Sequence, residues 1–264
     1  MTSLAFVVPA YRRFDLSRVC LRQLLRTCEA LAEHGIEATA VVVGDDANID
    51  LARMLGFKTL RRENRPLGRK VNDVIEYAAS PRYLGCEYVV PIGTDNWVDH
   101  ELIVAQMPPE DGMIGAHRLF FMVHESGERS CAMKITYEAG DGVRTIPSSL
   151  LEPLAYRPAI ENLDRAIDTS IWERLERVYG ERPRCHYVDL HPAQVVGFQS
   201  VEEQLNSYGA LRSAYGIGEE GRDHWELLSK HYPIEAIEEV QEVYRRREPI
   251  RLPVQLPTLD HARK

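Results

Sequence analysis

Cysteine is scarce and scattered in this chain. Cys20, Cys28, Cys86, Cys131 and Cys185 are odd in number and include no C-x-x-C pair, which argues against a disulfide framework and against a zinc knuckle. Reduced thiols are expected. Long apolar runs are missing as well, since none approaches the roughly 20 residues that span a bilayer. The N-terminus, Met1-Thr2-Ser3-Leu4, lacks the basic stretch and apolar core of a signal peptide, so a cytoplasmic protein is expected. Positive charge is in deficit: 32 Lys and Arg face 40 Asp and Glu, a formal net charge of -8. That balance disfavours a surface that grips nucleic-acid backbone, because such binding depends on Lys and Arg neutralising phosphates. No internal repeat is present.

What remains is ordinary globular material. Across 264 residues, 44% are hydrophobic and 27% charged, enough to bury a full core in one large domain. The run Leu4-Ala5-Phe6-Val7-Val8-Pro9 is continuously apolar and reads as a strand closed by proline. A helix follows, with Val19, Leu21, Leu24, Leu25, Cys28 and Leu31 at helical spacing, Asp15 or Ser17 as its cap and Gly35 at its end. Ala38 to Val43 forms a second strand, leading to a short helix over 49–55 and an edge strand over 58–61. A helix over 70–79 carries Val71, Val74, Ile75 and Ala78 on one face. Beyond Asp99 the pattern becomes short strands over 112–115, 119–123 and 132–137, helices over 148–154 and 168–178, and extended segments over 187–191 and 194–198. A helix is expected over 201–208. Residues 223–247 read as helical apart from Pro233, and a proline-rich extended tail ends the chain. Strands alternating with helices over the first ~100 residues predict a mostly parallel sheet, with an antiparallel extension and C-terminal helices after it. The expected division is 1–105 and 106–264, two halves of one compact domain.

Acids gather where strands end. The stretch Tyr88-Val89-Val90-Pro91-Ile92-Gly93-Thr94-Asp95-Asn96-Trp97-Val98-Asp99 puts Asp95 at the carboxyl end of a buried strand, where open α/β sheets bind ligands. The second strand likewise runs into Gly44-Asp45-Asp46-Ala47-Asn48. Asp and Asn are common turn residues in their own right, but two neighbouring strands that end in acids suggest a site. A carboxylate there can share Mg²⁺ or Mn²⁺ with a diphosphate, since these ions take oxygen ligands and keep phosphates and water in their shell. Arg69 and Lys70 open a helix whose dipole prefers anions, which suits a bound phosphate as well as a solvated basic turn. Trp97 is read as core in preference to a sugar-stacking surface.

Taken in order, these segments resemble the nucleotide-sugar-binding half of GT-A glycosyltransferases, most closely the family 2 type. Pro9-Ala10-Tyr11-Arg12-Arg13 is similar to its P-x-Y-x-R-like segment, and Asp45-Asp46-Ala47-Asn48 to its D-D-G-S, whose acid recognises the nucleotide base. Asn64 to Asn72 approximates N-x-G-x-x-x-A-x-N, and Gly93-Thr94-Asp95-Asn96-Trp97-Val98-Asp99 resembles D-x-D followed by D-W-x-D. The first acid of D-x-D is Gly93 here; Asp95 matches the second, which in that family typically holds the metal. The resemblance covers roughly 100 residues and implies a GT-A-like fold, an Mn²⁺ or Mg²⁺ cofactor and a nucleotide diphosphate sugar. On this reading the nucleotide sugar is held by Pro9, Tyr11, Arg13, Asp45, Asp46, Arg69, Lys70, Asn72, Thr94 and Asp95.

Sugar transfer also needs a base for the acceptor hydroxyl. Asp168, at the start of a helix, is the first candidate and Asp164 the second, in the place where family 2 enzymes usually present an acid; Asp168 also reads as an ordinary first-turn helix residue. His191 reads as a structural hydrogen-bonding residue or as a late metal ligand beside Asp95. The expected activity is inverting glycosyl transfer. Its rivals are a nucleotidyltransferase, for which the segment after the first strand lacks glycine, and a non-catalytic nucleotide-sugar-binding module. A macromolecular acceptor is favoured, protein over modified DNA, because of the charge of -8. Against that stand Arg245-Arg246-Arg247 and the group Arg61, Arg62, Arg65, Arg69 and Lys70.

Overall fold

The computed structural model describes residues 2–44, 47–107, 112–116, 118–123, 129–134, 143–164, 167–198 and 224–246. In chain order the strands are β1 (Thr2–Pro9), β2 (Ile36–Gly44), β3 (Lys58–Arg61), β4 (Tyr88–Pro91), β5 (Asn96–Val98), β6 (Met113–Ala116), β7 (Arg118–Val123), β8 (Arg129–Lys134), β9 (Arg144–Pro147), β10 (Cys185–Val188) and β11 (Val195–Phe198). The helices are α1 (Phe14–Glu33), α2 (Ala47–Met54), α3 (Leu67–Ala79), α4 (His100–Ala105), α5 (Ser148–Leu151), α6 (Ile167–Tyr179), α7 (His224–Ser229) and α8 (Ile234–Arg246).

Strand β1 is central because it can be buried on both faces. Its Leu4, Phe6 and Val8 enter one core with Leu21, Leu24 and Leu31 of α1, while Ala5 and Val7 enter the opposite core with Val71, Val74 and Ile75 of α3. A continuous apolar run is what a parallel strand covered by helices on both sides requires. β1 pairs in parallel with β2 and with β4, and β2 with β3. On the far side of β4, β9 runs antiparallel, β6 is antiparallel to β9, and β10 is parallel to β6. The seven-stranded order is β10-β6-β9-β4-β1-β2-β3, so strands from both expected halves share one sheet. A second sheet, β5-β11-β7-β8, carries the third core, where Trp97, Val196 and Phe198 meet Ile237 and Val240 of α8. This is a mostly parallel α/β sheet with an antiparallel part, the arrangement expected from the alternation of strands and helices in the sequence.

Trp97 is core, 1% exposed, with Phe198 edge-on and Tyr232 beside it. Three details differ from expectation. α1 starts at Phe14 after a left-handed Arg13 and has no side-chain cap, so neither Asp15 nor Ser17 fills that place. α3 begins at Leu67, three residues early, because partners outside the helix satisfy its first N–H groups. β5, β9 and α4 are three, four and six residues long, too short to leave a period in the sequence. The helix expected over 201–208 and the C-terminal tail lie outside the described residues.

Candidate active site

At the carboxyl edge of β1 the chain makes an unusual turn. Arg12 and Arg13 both take left-handed backbone conformations, with φ of 51° and 50°. Non-glycine residues are held there at a cost of about 1–3 kcal/mol each and persist only where surrounding contacts enforce them. Those contacts are visible. Asn48, buried at the start of α2, donates from Nδ2 to the Arg12 carbonyl at 2.9 Å. Ala10 N–H reaches the Val43 carbonyl at 2.8 Å, and Lys70 Nζ donates to the Ala10 carbonyl at 2.5 Å and to Asn64 Oδ1 at 2.7 Å. Tyr11 is exposed, with the Arg12 guanidinium 4.8 Å over its ring.

The turn aims Arg13 at the next strand. Its guanidinium Nη1 donates to Asp95 Oδ2, so the loop after β1 is ion-paired to the loop after β4. Both side chains are partly buried, 18% and 23% exposed. Gly93 N–H donates to Asn96 Oδ1 at 2.9 Å, closing a tight turn around Asp95. A Cβ on residue 93 would stand 2.4 Å from Asp95 Oδ1 and 2.5 Å from Asn96 Oδ1. The glycine in place of a first acid therefore lets those two oxygens converge. One carboxylate and one amide oxygen form a donor set that suits Mg²⁺ or Mn²⁺, which are often held by one or two carboxylates with phosphate and water completing the shell. Arg13 shares the same carboxylate.

The remaining sequence candidates divide. Pro9 ends β1, and Thr94 is buried in the Asp95 turn. Asp45 and Asp46 lie outside the described residues. Lys70 is only 2% exposed, and its ammonium supports the β1 loop instead of lying open to a ligand. Asn72 is 0% exposed and is bonded both ways to the backbone of Ala159, donating to its carbonyl at 2.9 Å and accepting its N–H at 2.8 Å. It clamps the segment beside α3 and has no surface to offer a nucleotide.

The phosphate seat expected at the start of α3 is filled by the chain itself. Leu67 N–H donates to Asp164 Oδ1 at 3.0 Å, Gly68 N–H to the Leu163 carbonyl at 2.8 Å and Arg69 N–H to the Glu161 carbonyl at 3.1 Å. A Cβ on Gly68 would stand 2.0 Å from the Ile160 carbonyl, so only glycine admits so close an approach. Arg157 fastens the same segment, with ion pairs to Asp73, Glu76 and Glu161 at 2.6–2.9 Å. Asp164 thus caps α3, while Asp168 is exposed in the first turn of α6 and Arg69 is exposed at its own position.

His191 is not brought to Asp95. β11 runs antiparallel to β5 with Val195 opposite Val98, and Phe198 N–H donates to the Asp95 carbonyl at 2.7 Å. His191 therefore lies at the other end of this strand pair, beside Asp99. Asp99 caps α4 through the Glu101 N–H at 3.0 Å and meets His191 Nε2 at 2.9 Å. Burial alone would raise the Asp99 carboxyl, but hydrogen bonds from His191 and the Glu101 N–H, with the charges of His191 and His100, hold it below the ordinary carboxylate value. Reading the sequence missed His231, which stacks on His191 from a turn between two helices, and no local pattern marks it.

No protein-family profile and no curated protein matches the chain. Several solved structures are similar to it. They include the 4-diphosphocytidyl-2C-methyl-D-erythritol synthase of Anaerococcus prevotii, 9% identical over 76% of this chain and 94% of that one, with a TM-score of 0.46. Another is the catalytic domain of Drosophila beta-1,4-galactosyltransferase 7 in complex with xylobiose, 12% identical over 88% and 81%, TM-score 0.45. A third is a glycosyltransferase involved in glycosylation of the major capsid of the virus PBCV-1, 14% identical over 71% and 82%, TM-score 0.37. These are distant likenesses.

Proposed function

We propose that this chain is a glycosyltransferase that moves a sugar from a nucleotide diphosphate sugar to a macromolecular acceptor. The observation that carries the reading is the Arg13–Asp95 pair: one cation and one carboxylate held together at the carboxyl edge of adjacent parallel strands β1 and β4, in a loop kept under backbone strain. Charge neutralisation at a departing diphosphate is the electrostatic task such a site performs. Arg13 supplies a fixed cation there. Asp95, with Asn96 beside it, would hold Mn²⁺ or Mg²⁺, which supplies further neutralisation when bound. Asp45 and Asp46 read the nucleotide base, and Pro9, Tyr11 and Thr94 line the same edge.

In the reaction the bond between the sugar anomeric carbon and the diphosphate oxygen breaks. The acceptor oxygen bonds to that carbon from the opposite face, with inversion, and the acceptor proton passes to Asp168. The nucleoside diphosphate leaves. Protein is favoured over DNA as the acceptor because the basic residues are largely neutralised: Arg62 pairs with Asp73 at 2.6 Å, Arg65 with Asp164 at 3.9 Å, Arg61 with Asp50 at 3.6 Å, and Arg245 and Arg246 with Glu242 at 2.7 Å.

The test is incubation with Mn²⁺ and a panel of nucleotide sugars, with free sugar and nucleoside diphosphate measured. Slow hydrolysis of one nucleotide sugar supports the reading and names its base and sugar. Pyrophosphate release from a nucleoside triphosphate and a sugar phosphate would instead establish a nucleotidyltransferase. Binding of a nucleotide sugar without turnover, with and without candidate acceptors, would leave a binding module.

A further inference from the structure

A second cluster, away from the Arg13–Asp95 pair, has the composition of a transition-metal site. Asp99 at the end of β5, His191 in the turn before β11 and His231 in the turn between α7 and α8 each offer one ligand atom, and these atoms lie within 4.8 Å of one another. The strand pairing separates the two places. Asp95 lies in the turn before β5 and Asp99 just after it, at opposite ends of the strand. The Asp99 N–H donates to the Gln194 carbonyl at 3.0 Å at one end of the pair, while Phe198 faces Asp95 at the other.

We infer that Asp99, His191 and His231 form a Zn²⁺ site independent of the nucleotide-sugar site. Two imidazoles and a carboxylate are ligands that Zn²⁺ takes, with a fourth position left for water or another ligand, whereas Mg²⁺ prefers oxygen alone. Asp99 is 4% exposed and His191 11% exposed by side chain, so a carboxylate and an imidazole are drawn out of water at one point. Nδ1 of His191 is buried and has no hydrogen-bond partner. With Nε2 against Asp99, Nδ1 of the neutral ring is a buried acceptor, a lone pair open to a cation. The His191 and His231 rings lie 3.6 Å apart and 6° from parallel. The two imidazoles are thus already neighbours, and χ2 of His231 is a broad torsion about which its ring can reorient towards a bound ion. A cavity of about 390 Å³ adjoins the cluster, lined by Arg26 and Thr27 of α1, Asp99, His100, Lys230 and His231. It gives the ion a route in and room for a fourth ligand.

The experiment is zinc titration of chelator-stripped full-length protein against a chromophoric chelator. The expected result is one Zn²⁺ per chain with micromolar or tighter affinity, a rise in Tm on adding zinc, and a loss of at least tenfold in affinity in His191→Ala and His231→Phe. His231→Phe keeps an aromatic ring in the stack and removes only the nitrogens, so a folded variant is at hand if His191→Ala unfolds. Asp95→Asn is expected to bind zinc as the parent does, which keeps this inference separate from the glycosyltransferase reading. Absence of stoichiometric binding, undiminished affinity in His231→Phe, or loss of zinc in Asp95→Asn would each overturn it.

Discussion

Arg13 and Asp95 stand 82 positions apart in the chain and form an ion pair across the ends of β1 and β4. Because both are only partly buried, the pair adds about 1 kcal/mol or less to stability, too little to account for two left-handed residues beside it. The strain in the Arg12–Arg13 turn is balanced by contacts from Asn48, Lys70 and Asn64, so the turn is a positioning device.

Asp95→Ala is therefore expected to leave Tm nearly unchanged, abolish sugar transfer and remove the Mn²⁺-dependent tightening of UDP or GDP measured by calorimetry. Arg13→Ala should weaken nucleotide diphosphate binding with or without Mn²⁺. An Asp95→Ala protein that binds and turns over a nucleotide sugar as the parent does would remove Asp95 from the centre of the site.

Lys70 makes a contrasting case. Its ammonium is buried against the Ala10 carbonyl and Asn64, so Lys70→Met keeps the stem and leaves buried acceptors without their donor. Each unsatisfied group costs about 1–3 kcal/mol. Urea unfolding of Lys70→Met should show destabilisation of about 2–4 kcal/mol, with nucleotide affinity falling because the β1 loop loosens. A variant with parental stability would show that the ammonium does not hold the loop.

Much of the scaffold could be read from the chain because its signals are local. The apolar run of β1, the 3.6-residue stripes of α1 and α3 and the acids at strand ends are all contiguous patterns. The site was legible only in part, for physical reasons that individual residues show. Asn72 fits a sequence motif, yet its amide is spent on Ala159, 87 positions away. Arg69 and Lys70 sit at a helix start that looks open in sequence, but residues 161–164 return from a distance to fill it. His231 has no local mark, since Asp99 and His191 reach it only through the packing of the two turns against β5. Gly93 reads as a lost acid, and the geometry gives it a reason in the crowding of Asp95 and Asn96.

Cys28 gives the pH dependence a definite sign. Burial in α1, with the charge of Glu29, pushes its thiol up to about 12 from 9.0. Its folded-state value lies above the unfolded one, so its contribution to stability is fully present below about pH 9 and is lost as pH rises from there towards 12. Tm should fall over that alkaline range, and Cys28→Ala should make the fall shallower once the two curves are aligned at neutral pH. Alkylation of the native protein at pH 8 should also spare Cys28. An identical alkaline slope in the variant would show that the thiol stays protonated or titrates alike in both states.

The two acids offered as catalytic base can be separated by what each does for the fold. Asp164 accepts the Leu67 N–H at the start of α3, a bond that an amide oxygen can replace. Asp164→Asn should therefore leave both stability and turnover close to the parent, while Asp164→Ala should cost about 1 kcal/mol in urea unfolding. Asp168 is exposed in the first turn of α6, where the helix dipole favours its charge. If Asp168 takes the acceptor proton, Asp168→Asn keeps the affinity for the nucleotide sugar but lowers kcat by about 10² to 10⁴. Should Asp164→Asn show the loss in kcat while Asp168→Asn does not, the proton acceptor is the residue that caps α3, and the loop over 160–164 is catalytic as well as structural.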